Sequence, residues 1–172
     1  MSLLVIYDAD DSNITAGVNR RTDLETIVRL PITNDGSNFL SSLDGLVSSG
    51  QTHHRILFDT HGSGGTLAFG NAGVNASWVR ANMAGRGYDG ICSGSTRIYF
   101  NGCNVAEGAS GWEFLRAIAG VFLLRGGGSV FGHTSLGISV RWGLYPRTVH
   151  LWGDVRTVYV APGGRIIEEF EQ

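Results

Sequence analysis

Short apolar runs recur along this chain, and several end abruptly in glycine-rich or acidic punctuation. Leu3–Tyr7 runs into Asp8-Ala9-Asp10-Asp11, Arg55–Asp59 into His61-Gly62-Ser63-Gly64-Gly65, and Thr96–Phe100 into Asn101-Gly102-Cys103. Runs this short, rich in β-branched and aromatic residues, read as buried strands. Glu25–Ile32, with Thr26–Leu30 at its centre, and Ser129–Phe131 add two more. Helical spacing appears between them. Phe39, Leu40, Leu43, Leu46 and Val47 follow Ser37 as a candidate N-cap and precede Gly50 as a stop. Trp78, Val79 and Met83 suggest a short helix after Asn75. Trp112, Phe114, Leu115, Ile118, Ala119 and Phe122 form an apolar helix ended by Gly126–Gly128. This alternation predicts an α/β fold with a largely parallel sheet and flanking helices. Past Arg147, Val149–Trp152 and Thr157–Val160 read as a C-terminal antiparallel extension, with turns at Gly153-Asp154 and Gly163-Gly164.

Composition narrows the class. With 172 residues and no linker or repeat, the reading is a single domain over 1–172. Hydrophobic residues make up 42% and charged residues 16%, which excludes a disordered polyelectrolyte. A net charge of −2 offers no basic field, so nucleic acid and anionic membrane surfaces are not expected partners. No apolar run is long enough for a membrane span. The N-terminal stretch has no basic region ahead of its apolar residues, so no signal peptide is read and nothing directs export. The two cysteines, Cys92 and Cys103, cannot build a disulfide framework or a four-cysteine zinc site. His53-His54 in a turn make a poor metal site without carboxylate or thiol partners, so no metal and no cofactor are expected.

The chemistry lies at the strand ends. In an open α/β sheet, ligands bind beyond the carboxyl ends of the strands. His61 and Cys103 each follow a strand there, and each is flanked by glycine. A thiol facing an imidazole is a nucleophile–base pair, because the base stabilises the attacking thiolate. The backbone amides of Gly62 and Cys103 would supply an oxyanion hole, each donor being worth about 3–4 kcal/mol of barrier. Asp59 could orient His61. Cys92 reads as a loop residue, and His133, after the fifth strand, as a hydrogen-bonded structural histidine. Trp112, Trp142 and Trp152 read as core or partly buried.

The run Ile56–Asn71 around His61-Gly62, and Ile98–Gly108 around Cys103 followed by Gly111, resemble a bacterial domain family of unknown function. That family stands at the N-terminus of very large secreted or surface proteins of the adhesin and calcium-repeat type. It is similar in turn to the caspase-like cysteine peptidases of clan CD, whose shared pattern is one strand ending in His-Gly and a later one ending in Cys. His61 and Cys103 are 42 residues apart; caspase-type enzymes space the pair by roughly 50. The resemblance covers roughly residues 3–135. Thr60 stands where the family usually has Ser, and the caspases' Gln-Ala before the cysteine is absent.

The resemblance implies a caspase-like three-layer sandwich and a cysteine endopeptidase acting on a protein or peptide substrate, possibly on itself. It also implies that loops at the sheet edge build the specificity pocket. Asp8, Asp10 and Asp11 would make that pocket acidic and prefer Lys or Arg; their plainer reading is a solvated turn. Ser139-Val140-Arg141-Trp142 is loosely similar to the caspase segment whose Arg holds a substrate Asp, which would make Arg141 a contact of the opposite preference. Two other readings stay open: a non-catalytic interaction module on the same fold, and a thiol amidase or acyl transferase with a small substrate. Relatives are often secreted or surface-attached; the chain as given reads as cytoplasmic, and its oligomeric state is not set by the sequence.

Overall fold

The computed structural model describes residues 2–22, 25–70, 72–135 and 153–172 in full, and the backbone of 137–142 and 145–150. Leu151 and Trp152 of the expected strand lie outside the described residues, as do the side chains of Arg141 and Trp142.

The chain alternates strand and helix as its pattern requires. It runs β1 (Ser2–Asp8), α1 (Ser12–Asn19), β2 (Thr26–Ile32), α2 (Phe39–Ser49), β3 (His53–Asp59), then β4 (His61–Ser63), β5 (Thr66–Phe69) and β6 (Ala72–Asn75). It continues through α3 (Ala76–Asn82), a single 3-10 turn at Tyr88–Ile91, β7 (Cys92–Phe100), α4 (Gly108–Phe122), β8 (Gly128–His133), β9 (Gly137–Trp142), β10 (Tyr145–His150), β11 (Val155–Val160) and β12 (Ile166–Glu171). The main sheet has seven strands in the order β12-β11-β8-β7-β3-β1-β2. The five from β2 to β8 are parallel, while β11 pairs antiparallel with β8 and with β12. An α/β fold with a mostly parallel sheet and a C-terminal antiparallel extension is therefore what forms. Strands β9 and β10 make a separate antiparallel pair, and β4-β5-β6 a small antiparallel sheet.

Side-chain alternation sends the two faces of the sheet to different layers. Leu4, Ile6, Ile56, Phe58, Ile98, Phe100, Val130 and Val158 point into the larger core with α2, α3 and α4. Phe58 stacks on Phe100 at 4.9 Å, and Phe114 of α4 closes on Phe100 at 5.1 Å. Leu3, Val5, Tyr7 and Leu57 point to the other face, where Val18 of α1 covers them.

Several local expectations are corrected. The α2 N-cap is Asn38, not Ser37, and its side chain accepts from Thr33 N at 2.9 Å rather than capping the helix. Gly50 does end α2, at φ 67. Pairing with the neighbouring strand extends β3 back to His53, so His53-His54 lie in a strand and not in a turn. The same pairing makes Cys92 the first residue of β7 rather than a loop residue. Neither α1 nor the small sheet was expected.

His53 is 1% exposed and both ring nitrogens lack a hydrogen-bond partner. Burial drives its pKa below the usual 6.5, since the charged ring would be stranded. The unfolded chain therefore binds this proton first. The stability His53 allows is full above pH 6.5 and is lost as pH falls towards the lower folded-state value, by up to about 1.4 kcal/mol per unit. We expect His53→Leu to raise stability by about 1 kcal/mol at pH 7 and to flatten the slope below pH 6.5, measured by urea denaturation at several pH values.

Candidate active site

Strand order decides where a site can form. Strands β1 and β3 are neighbours, and the chain leaves the carboxyl end of β1 towards β2 on one side and that of β3 towards β7 on the other. The crevice of a doubly wound sheet opens at that switch point. The residues beyond β1, β3 and β7 are Asp11, His61 and Cys103.

His61 begins β4, opposite Ala68 of β5. The β4-β5 turn is the pair Gly64-Gly65, with Ser63 facing Thr66 and Gly65 at φ 74, a conformation that favours glycine. Thr60, 4% exposed, donates from its hydroxyl to the Ala68 carbonyl at 2.8 Å and locks the entry to this hairpin. Cys103 lies in the turn between β7 and α4. Asn104 follows it at φ 52, a left-handed conformation that Asn tolerates better than most residues.

The two segments touch through their glycines. A Cβ on Gly102 would stand 3.1 Å from the His61 carbonyl oxygen and 2.9 Å from Val105 Cγ2. A Cβ on Gly62 would stand 2.9 Å from the Cys103 carbonyl oxygen and 2.5 Å from Val105 Cγ2. Only glycine at both positions permits this approach. Gly65 N donates to the Val105 carbonyl at 3.1 Å, binding the hairpin to the cysteine loop. From the other side the end of β8 holds the same loop: Asn104 N donates to the Ser135 carbonyl at 2.9 Å and Ala106 N to the His133 carbonyl at 3.0 Å. His133 is thus the last residue of β8 and supports the loop through its backbone. The amides of Gly62 and Cys103 lie on the two segments in contact.

The partner of His61 is Asp11. Its Oδ2 lies 2.9 Å from His61 Nε2, while its Oδ1 accepts from Asn13 N and Ile14 N as the N-cap of α1. The hydrogen bond from His61, then that from Ile14 N, hold the Asp11 carboxyl below its usual pKa. The His61 side chain is 63% exposed and that of Asp11 25%, so the pair contributes no more than about 1 kcal/mol to stability. Its consequence is orientation of the ring. Asp59 does not take this role: it accepts from Asn101 Nδ2 at 3.1 Å, and burial raises its pKa.

The remaining acids are tied into the scaffold. Asp8 is 2% exposed and accepts from Asp10 N and Gly70 N. Asp10 is exposed and accepts from Asp35 N, joining the loops after β1 and β2. Arg141 is on β9, opposite Pro146. Cys92 is at the other end of β7, where burial pushes its thiol up to about 12. A pocket on the α1 face is lined by Arg21, Arg55, Leu57, Tyr99, Asn101 and Phe131 among others, and by neither His61 nor Cys103. Among the described residues no group of His, Cys, Asp and Glu is placed to hold a metal, and no helix is long and apolar enough to cross a membrane.

Sequence reasoning groups Asp11 with the acidic loop after β1 and does not pair it with His61, which the structure does. Its signal was local: an Asp directly before a polar stretch that can start a helix. Comparison with protein-family models, curated proteins and solved structures finds no significant match to this chain.

Proposed function

We propose that this chain is a caspase-like cysteine endopeptidase in which Asp11, His61 and Cys103 act together on a protein or peptide substrate. The observation that carries the reading is the contact of the His61-Gly62 and Gly102-Cys103 backbones at the carboxyl edge of the sheet, with a carboxylate fixed on the imidazole. Cys103 Sγ attacks the scissile carbonyl as thiolate and forms a thioester. His61 takes the thiol proton and delivers it to the leaving amine. Asp11 holds the ring and balances the imidazolium charge. The amides of Gly62 and Cys103 hold the oxyanion, and water then hydrolyses the thioester. Thr60 in place of the family's Ser fits this reading, since it keeps a hydroxyl there, which donates to the Ala68 carbonyl.

A peptide is favoured over a small acyl substrate by an open strand edge near the cysteine loop. Strand β9 starts two residues after Ser135, whose carbonyl supports the cysteine loop, and it pairs only with β10 among the described residues. An extended chain could therefore add to its other edge.

The test compares the two thiols of one molecule. Iodoacetamide at pH 6, followed by peptide mass spectrometry, should label Cys103 and leave Cys92 unmodified, because a thiol pushed up to about 12 holds almost no thiolate there. Cys103→Ala should then abolish cleavage of a denatured protein substrate. Slow labelling of both thiols, with no cleavage, would favour an interaction module instead.

A further inference from the structure

The role of the C-terminal strands is open from sequence, and the structure ties them to the cysteine loop through one side chain. Arg156 of β11 is only 14% exposed in its side chain. Its Nη1 donates to the carbonyls of Ala106, at 2.7 Å, and Gly108. These residues are the end of the Cys103 turn and the first residue of α4. The guanidinium lies over the Trp112 ring at 5.0 Å. Its Nε sits 3.1 Å from Glu171 Oε1 of β12, an ion pair without hydrogen-bond alignment.

A cation at the start of a helix opposes the helix dipole, so Arg156 is held there by its partners. Each accounts for part of the side chain: Trp112 covers its flat face, Glu171 balances its charge, and two carbonyls receive its donors. A second link runs in parallel, from Arg116 of α4 to Glu169 of β12 through Nε at 2.7 Å and Nη2 at 2.8 Å. Strands β11 and β12 are thereby joined to the element that follows the nucleophile.

We infer that Arg156 is a positioning residue: it fixes the Cys103 loop through the Ala106 and Gly108 carbonyls, and the antiparallel extension is part of the site. The effect on reactivity rests on the reading of Cys103 as nucleophile; the bracing of the loop does not. Without Arg156 the loop keeps its amide bonds to the hairpin and to the end of β8, but loses its tie to β11. The cysteine turn is then placed less firmly at the sheet edge it shares with His61.

Arg156→Met keeps an unbranched apolar side chain beside Trp112 and removes every donor. Arg156→Lys keeps the charge and a donor. Hydrogen exchange followed by mass spectrometry should show faster exchange over residues 103–110 in the Met variant, with β1 and β3 unchanged. Labelling of Cys103 at pH 6 should fall about tenfold, and Lys should restore part of both. Unchanged exchange at 103–110, or labelling equal to wild type in a folded Met variant, overturns the proposal. If wild-type Cys103 itself labels slowly, the nucleophile reading fails while the exchange result still decides the brace. Should Arg156→Met unfold, Arg156→Gln replaces it: a shorter polar side chain that cannot bring a donor to the Ala106 and Gly108 carbonyls. Faster exchange confined to 103–110 then supports the brace, and no change there overturns it.

Discussion

His61→Ala should slow iodoacetamide labelling of Cys103 at pH 6 by about a hundredfold. An ordinary thiol with pKa near 8.5 is only about 0.3% thiolate at that pH. A thiol paired with imidazolium is mostly thiolate, and its lower intrinsic nucleophilicity removes part of the gain. Asp11→Asn isolates the next link. Asn caps a helix about as well as Asp, so the amides of Asn13 and Ile14 keep their acceptor and α1 survives. What is lost is the charge on His61. Labelling at pH 6 should fall about tenfold, with stability changed by less than about 1 kcal/mol. Asp11→Ala should slow labelling equally and cost about 1 kcal/mol more, through the lost cap. Labelling in Asp11→Asn equal to wild type would remove Asp11 from the mechanism. Equal labelling in His61→Ala would remove the pair itself.

Much of this site could be read from the chain because strand ends are local events. A run such as Arg55–Asp59 or Thr96–Phe100 has few conformations that bury its aliphatic and aromatic residues, and the glycines that follow mark where it stops. That places His61 and Cys103 at one edge as soon as the strands are neighbours. The long helices α2 and α4 were legible for the same reason, since each repeats one apolar face over several turns.

The rest depends on contacts that no local pattern announces. Helix α1 has eight residues and includes Gly17 and the β-branched Ile14, Thr15 and Val18, a composition with weak intrinsic preference for helix. It is fixed by the Asp11 cap and by Val18 packing on β1. Because the local pattern does not announce α1, it puts Asp11 in an acidic loop and not on His61. The small sheet is similar: β4 has only three residues, and docking of Gly62 on Val105 and Cys103 holds it in place. His53 and Cys92 look like turn and loop in the sequence because their burial arises from strands paired far apart in sequence.

Gly111→Ala should destabilise the protein by about 2–3 kcal/mol, although alanine is the better helix former. A Cβ at this position would stand 2.0 Å from the carbonyl carbon of Ala106 and 2.6 Å from its Cα. Backbone atoms cannot rotate away as a side chain can, so α4 must move off the loop. The loop cannot follow freely, because Ala106 N is bonded to the His133 carbonyl and its carbonyl to Arg156. Displacement therefore reaches Cys103, three residues earlier. Gly120→Ala is the control within the same helix. Gly120 is exposed and a Cβ there meets nothing within 4 Å, so it should gain about 0.5–1 kcal/mol. In thermal unfolding the two variants should move in opposite directions, Gly111→Ala down by about 4–10 °C and Gly120→Ala up by about 2 °C. Only the first should slow Cys103 labelling. A Gly111→Ala protein as stable as wild type would mean that α4 and the loop are not in the contact described. One that is destabilised but labels Cys103 at the wild-type rate would mean that the thiol owes nothing to the seat α4 provides.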